Sequence, residues 1–188
     1  MRADAPADAS TTLNVGPFTL SRCTASDLDV VRAMESSSYP ADEAASAHAL
    51  ALRQRLAPEF FVLLRERGRA DVLGYVCGTL SAEDALTGAS MSTHEAGGTT
   101  LCAHSVVTRA DVRGRGVGSA LLRAYVEDWV FGGVGGGATR DVRVIRLLCK
   151  RDLLAFYRRV GFRDVGPSAV VHGADVWYEC VRYRDEDA

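Results

Sequence analysis

The sequence predicts an α/β fold built on one mixed sheet, and three observations support that prediction. Short apolar runs of strand length alternate with segments whose apolar residues recur at helical spacing. They follow the order strand, two helices, three strands, helix, strand, helix, two strands, which is typical of helices packed on a mixed sheet. The chain has 188 residues, which is enough for one domain with a substantial core.

In the N-terminal half, caps and prolines mark the predicted elements. Residues 1–16 are rich in Ala, Asp, Ser and Thr without periodicity, so we expect a disordered tail there and a domain over residues 17–184. A capping-box-like sequence, Thr24 to Asp27, starts a helix that ends before Pro40, because a residue preceding proline avoids helical backbone. Strands are predicted over residues 18–23, 60–66, 72–80 and 99–108, and helices through residues 28–34 and 42–56.

In the C-terminal half, glycines mark the boundaries of the predicted elements. The polar residues 81–98 predict a long excursion, and five glycines between Phe131 and Thr139 predict a flexible link. Gly161 ends a short helix. Strands are predicted over residues 142–149, 162–165 and 174–181, and helices through residues 121–129 and 152–160.

Composition argues against several function classes. The net charge of −2 gives no reason to expect nucleic-acid binding. No apolar run is long enough to span a bilayer, and residues 1–14 lack the apolar core of a signal peptide. We therefore expect a cytoplasmic monomer without membrane or nucleic-acid partners. The cysteines are odd in number and form no CxxC pair, so free thiols and no metal site are expected at Cys23, Cys77, Cys102, Cys149 and Cys180.

A glycine-rich loop between an apolar strand and a helix predicts phosphate binding. The first N–H groups of a helix lack partners within the helix, and the helix dipole favours negative charge there. Glycines let backbone amides approach oxygens that a Cβ would exclude, and two arginines add positive charge. The pattern is neither G-x-x-x-x-G-K-[ST] nor a full G-x-G-x-x-G unit, which disfavours nucleoside triphosphatases and dinucleotide folds. The loop consists of Arg113, Gly114, Arg115, Gly116, Val117, Gly118 and Ser119.

The R-x-x-G-x-G spacing of this loop resembles the acetyl-CoA pyrophosphate loop of the GNAT family of N-acetyltransferases. A second segment, FYRRVGF over residues 156–162, resembles the F-Y-x-x-x-G-F segment of the same family. The resemblance implies a single GNAT domain with a mostly antiparallel sheet and acetyl-CoA as co-substrate. A closer similarity, over about residues 18–184, is to the serotonin (arylalkylamine) branch with its fungal and protist relatives. It rests on ESSSYP at 35–40, THE at 93–95, HSVV at 104–107 and GPSAVV at 166–171.

The resemblance also implies roles for individual residues. The pKa of an alkyl amine lies about 3 units above neutral pH, so removing its proton at neutral pH costs ~4 kcal/mol. Acetyl transfer therefore needs a base. His104 is the candidate base, and Tyr157 is the candidate acid that protonates the departing thiolate. Cys102 stands where vertebrate enzymes have a second histidine. The backbone of Val106, Val107 and Thr108 is expected to bind the pantetheine arm, and the apolar acceptor slot is expected at Pro40, Leu148 and Trp177.

These features predict an acetyl-CoA-dependent N-acetyltransferase that acts by direct attack of a small primary amine. The acceptor is left open between arylalkylamines, such as serotonin, tryptamine or tyramine, and polyamines. The alternatives are a protein lysine or N-terminal acetyltransferase and, in a different class, a non-catalytic acyl-CoA sensor. An enclosed slot formed by the Pro40 segment and the residue 81–98 excursion disfavours the first, and the presence of both His104 and Tyr157 disfavours the second.

Overall fold

Within the residues that the structure describes, eight strands form one sheet. The structure is a computed structural model that describes residues 11–184. The strands lie side by side in the order β1-β2-β3-β4-β5-β6-β8-β7. All neighbours are antiparallel except β5 and β6, which run parallel, so the predicted mixed, mostly antiparallel sheet is confirmed. The strands are β1 (Thr12–Val15), β2 (Phe18–Arg22), β3 (Phe61–Glu66), β4 (Val72–Ser81), β5 (Thr100–Thr108), β6 (Val144–Cys149), β7 (Arg163–Pro167) and β8 (Tyr178–Tyr183).

Helices cover both faces of this sheet. They are α1 (Leu28–Ser38), α2 (Ala47–Leu56), α3 (Val117–Arg123), which continues as π-helical turns over Ala124–Phe131, and α4 (Leu154–Arg158). Successive side chains of a strand point to opposite faces. Along β3, Phe61 and Leu63 pack with α1 and α2, whereas Val62 and Leu64 pack with α3 and its continuation. The predicted flanking helices are therefore present on both sides.

Two predicted boundaries are wrong. Residues Thr12–Val15 do not belong to a disordered tail, because they form β1 and pair with β2, Leu13 opposite Leu20. The rest of the expected tail, residues 1–10, lies outside the described residues. Helix α2 begins at Ala47 and not at residue 42, because the Ser46 hydroxyl accepts the Ala49 amide at 3.1 Å and caps the helix there.

The glycine-rich segment after Phe131 is fastened to the domain and is not a free link. The Gly135 amide donates to the Trp129 carbonyl at 2.9 Å, and the Arg22 guanidinium donates to the Gly135 carbonyl at 2.5 Å. A Cβ at position 135 would lie 2.5 Å from the Trp129 indole nitrogen. Glycine is needed there because the chain passes directly over a fully buried tryptophan, so the glycines serve close packing.

Candidate active site

The parallel strands β5 and β6 are paired over only part of their length. They pair only between Thr100–Ala103 and Val144–Leu147, and β5 then continues to Thr108 beside β4 alone. The register of β4 and β5 shifts at this point, and His104 is the extra residue of the resulting bulge, between Ala103 and Ser105. From the bulge onward, one edge of β5 has no neighbouring strand. Backbone groups on such an edge are able to receive an extended ligand as an added strand.

The glycine loop continues from the end of this strand. Gly114 and Gly116 have φ angles of +73° and +80°, and a Cβ at either position would meet nothing within 4 Å. A Cβ at Gly118, by contrast, would lie 3.0 Å from the Thr108 hydroxyl oxygen and 3.7 Å from the Phe156 ring. Glycine at position 118 therefore lets the first turn of α3 lie close to Thr108 and to Phe156 of the FYRRVGF segment. The open space over Gly114 and Gly116 is where phosphate oxygens would meet the amides, so the loop fits the pyrophosphate of acetyl-CoA.

The arginines of the loop differ in their contacts. Arg113 donates from Nε to the Thr108 carbonyl at 2.9 Å and from Nη2 to the Ser38 hydroxyl at 2.9 Å. It therefore ties the end of β5 to the end of α1, which the sequence pattern did not indicate. Arg115 is exposed beside the loop. The remaining loop positions expected to bind the cofactor, Val117 and Ser119, lie in the first turn of α3.

A cavity of about 260 Å³ adjoins the bulge, because His104 and Ser105 line it. Of the three residues expected to form the acceptor slot, Leu148 and Trp177 line it, whereas Pro40 is exposed and its neighbour Tyr39 takes that place. The cavity is near the small end of the range for ligand pockets, which suits a small acceptor. Its lining consists of Glu35, Tyr39, Glu43, Ala45, Arg53, Gly88, Met91, Ser92, His104, Ser105, Leu148, Val170, Val171, His172 and Trp177.

His104, the candidate base, lines this cavity. Its Nε2 atom lies 2.8 Å from the Thr79 hydroxyl, and its Nδ1 atom is buried with no hydrogen-bond partner among the described residues. Burial lowers the pKa of His104 well below its usual value of 6.5, and the nearby charge of Arg53 lowers it further. The imidazole is therefore neutral at neutral pH, which is the form that accepts a proton.

Glu35 is a buried carboxylate in the cavity wall that the sequence analysis gave no role. It is only 2% exposed and accepts from the Tyr75 hydroxyl, from the Ala45 amide at 2.8 Å and from the Ser105 hydroxyl at 3.2 Å. Position 35 falls four residues after Val31, on the apolar face of α1. The sequence signal for a role of Glu35 was an acidic residue on the apolar face of a helix, because a buried charge requires partners.

Two tyrosines, Tyr39 in the cavity wall and the buried Tyr157, are the phenols to consider as acids. Burial, and then the charge of Glu35, raises the pKa of Tyr39, and the backbone of Val106 acts in the opposite direction. Tyr157, the candidate acid, is 5% exposed and packs edge-on against Phe156 and Phe162, with ring centroids 5.0 Å and 5.8 Å away. Burial, then the proximity of Tyr39, raises the pKa of Tyr157 well above 10. Both phenols therefore hold their protons at neutral pH.

Cys102 and the Thr-His-Glu sequence are engaged elsewhere. Cys102 is fully buried, and burial raises the pKa of its thiol to about 11, so it does not replace a histidine. His94 accepts the Leu80 amide at 3.2 Å and does not line the cavity. Its neighbour Glu95 accepts the Ala82 amide at 2.7 Å. The Thr-His-Glu sequence therefore fastens the excursion to the end of β4.

Over residues 11–184, no group of three or more His, Cys, Asp or Glu side chains is arranged to hold a metal ion. All five cysteines are free and buried, and the sulfurs of Cys149 and Cys180 lie 3.7 Å apart on neighbouring strands. No helix in the described range combines the length and the apolar character that crossing a bilayer requires.

The separating strands, the glycine loop and the adjoining cavity are the features expected of an acyl-CoA-dependent acyltransferase. A family model for the acetyltransferase (GNAT) domain matches residues 57–164, more than half of the chain. The chain therefore belongs to the GNAT acetyltransferase family.

Among curated proteins, the chain is similar to serotonin N-acetyltransferase of Mesocricetus auratus, with 32% identity over 124 residues, which is 66% of this chain and 56% of that protein. The human serotonin N-acetyltransferase is 28% identical over 108 residues, 57% of this chain and 49% of that protein. The chain thus spans about half the length of the curated relatives that it matches.

Solved structures share the fold at low identity. The GphF GNAT-like decarboxylase in complex with isobutyryl-CoA superposes with a TM-score of 0.72 at 17% identity, covering 88% of this chain and 98% of that one. YncA of Salmonella typhimurium, solved with acetyl-CoA, gives a TM-score of 0.59 at 15% identity, covering 92% of this chain and 97% of that one. Together with the sheet order, these similarities establish the GNAT fold.

Proposed function

We propose that this protein transfers the acetyl group of acetyl-CoA to the primary amine of a small acceptor with an arylalkyl body. One observation supports this most directly. His104 lines the acceptor cavity and sits at the bulge from which β5 continues as an open edge. The candidate base therefore lies where the acceptor cavity meets the open edge of β5, on which we expect the thioester to bind. The similarity to serotonin N-acetyltransferases supports an amine as the acceptor.

The proposed chemistry is a direct transfer. Acetyl-CoA supplies an activated acetyl thioester, whose C–S bond breaks as the C–N bond of the amide forms. His104 receives the proton that the amine nitrogen loses, because its Nδ1 atom has no other partner among the described residues. Backbone amides on the open edge of β5 polarise the carbonyl. Tyr157 gives its proton to the departing thiolate, and exchange with solvent then restores both side chains.

The enclosed cavity supports a small acceptor over a protein substrate. Trp177 closes one side, where its indole N–H donates to the His172 carbonyl at 2.5 Å and the Lys150 ammonium lies 4.1 Å from its ring centroid. Lys150 in turn pairs with Glu43 and Asp175. The segment that carries Trp177 is thereby held to the loop after α1. A peptide chain would have to displace this closure to reach His104.

Thiol release from acetyl-CoA, with product mass as a second readout, tests the proposal on tryptamine, tyramine, spermine and a lysine peptide. Acetylation of an aromatic amine, lost in His104→Gln and kept in His48→Gln, is the expected result. His48 is the matched control because it is exposed on α2. Acetylation of the peptide alone would favour a protein acetyltransferase. Acetyl-CoA binding without any turnover would favour the sensor.

A further inference from the structure

Arg53 is a cation in the wall of the acceptor cavity that forms no ion pair within residues 11–184. It lies in α2 and lines the cavity together with His104. Its charge acts on the buried thiol of Cys77 and lowers the pKa of that thiol. Arg53 is half-buried, and a guanidinium that lines a ligand cavity without a counter-charge is suited to an anion that the ligand brings.

The cavity also presents a carboxylate without a cationic partner. Glu35 is held by two hydroxyl groups and one amide, all of them uncharged donors. The other acidic residue in the wall, Glu43, is already paired with Lys150. The wall therefore offers one available charge of each sign, at Glu35 and at Arg53.

These two charges flank one strand pair. Ser105 of β5 lies opposite Cys77 of β4, and the Ser105 hydroxyl donates to Glu35 at 3.2 Å. Both charges also influence the Cys77 thiol, Arg53 by lowering its pKa and Glu35 by raising it. The two charged groups thus line the same cavity as the base His104. A ligand that carries both an ammonium and a carboxylate matches this arrangement.

We propose that Arg53 is the specificity residue of the acceptor site and that the preferred acceptor is an amine which also carries a carboxylate. Its amine lies toward Glu35 and His104, its carboxylate pairs with Arg53, and its apolar body lies against Leu148 and Trp177. This inference rests on the proposed function and narrows its substrate class to amino-acid-like molecules. Polyamines lack the anion and bring further cations toward Arg53.

A carboxylate bound at Arg53 would also affect the candidate base, His104. Arg53 is one of the two causes that lower the pKa of His104. A carboxylate bound at Arg53 would offset that positive charge, so the imidazole would hold a proton more readily in the acceptor complex. An acceptor of the matching class would therefore strengthen the base that deprotonates it, whereas an acceptor without a carboxylate would leave His104 a weaker base.

Matched acceptors test this inference: tyramine against L-tyrosine, and tryptamine against L-tryptophan, with L-tyrosinamide as the neutral analogue of the carboxylate. A charge-assisted contact predicts that kcat/KM favours each carboxylate-bearing acceptor by about 10- to 100-fold in the wild-type protein. In Arg53→Gln this ratio should collapse toward unity, and in Arg53→Lys it should be partly kept. Arg55→Gln, at an exposed position of the same helix, should keep the wild-type ratio.

The outcomes separate the two proposals. Equal or faster turnover of tyramine than of L-tyrosine overturns the inference and leaves the proposed function standing, as does an Arg53→Gln ratio equal to that of the wild type. Turnover of no amine at all overturns both. The melting temperature and the acetyl-CoA-induced shift of each variant show whether it folds. If Arg53→Gln fails to fold, the wild-type ratios and Arg53→Lys decide the question.

Discussion

The Nε2 atom of His104 lies 2.8 Å from the hydroxyl oxygen of Thr79, across the pairing of β5 with β4. Thr79 is 4% exposed, so this contact is sheltered from water and orients the imidazole ring. When Nε2 donates to the hydroxyl, Nδ1 carries the lone pair that accepts a proton. In that tautomer Nδ1, which has no hydrogen-bond partner among the described residues, is the nitrogen that acts as the base.

Replacing His104 with Gln should lower kcat at neutral pH by about 10²- to 10⁴-fold, which is the usual contribution of a general base. The loss should shrink at alkaline pH, because more of the amine is then neutral without help. Since the pKa of His104 is lowered, the acid limb of the wild-type kcat/KM profile should lie below the ordinary histidine value of 6.5. Steady-state rates against pH check this. An unchanged profile in His104→Gln would assign His104 to the core.

The same histidine should make folding stability depend on pH. Its folded-state pKa is lowered, so the unfolded chain binds more protons at acidic pH, and its contribution to stability is present above the unfolded pKa of about 6.5 and lost as pH falls toward the folded value. The free energy of unfolding of His104→Gln should therefore fall less than that of the wild type between about pH 7 and about pH 5. Urea denaturation at the two pH values measures it. His94, whose pKa is also lowered, keeps some acid sensitivity in the variant.

Replacing Tyr157 with Phe should slow the departure of CoA and lower kcat, by about 10²-fold or more if the phenol acts as a general acid. The loss should diminish with an acyl donor whose thiol is more acidic, because that leaving group needs less protonation. Tyr178→Phe, a half-buried tyrosine of β8, is the control and should keep wild-type kcat. Equal losses with both donors would mean that Tyr157 serves packing between Phe156 and Phe162.

Replacing Gly116 with Asp should abolish stabilisation by acetyl-CoA. The position has φ +80° and open space around it, so the new carboxylate would project toward the pyrophosphate site. Gly116→Ala carries the same backbone strain without the charge and should retain most of the shift in melting temperature. Saturating acetyl-CoA should raise the melting temperature of the wild type by mass action, and calorimetry checks all three proteins. A full shift in Gly116→Asp would place the cofactor elsewhere.

Local patterns predicted the strand, loop and helix around Gly116, because each depends on neighbouring residues alone. The roles of Glu35 and Arg53 were not predictable in this way, since they arise where α1 and α2 cross β4 and β5. Pro40 was expected in the slot, but its carbonyl accepts the Glu43 and Ala44 amides and turns the chain outward, so Tyr39 lines the cavity. Strand β1 was missed because four residues are too short to show a clear period.

Strand β1 also determines how the chain tolerates shortening. It covers the outer hydrogen-bonding edge of β2 from Phe18, opposite Val15, to Ser21, opposite Thr12. A version of the protein trimmed to begin at residue 17 would make β2, with its fully buried Leu20, the edge strand in place of the partly exposed β1, and exposed apolar edge strands recruit strands from other molecules. Such a version should self-associate and precipitate at concentrations that the longer chain tolerates, although every residue around His104 would be intact.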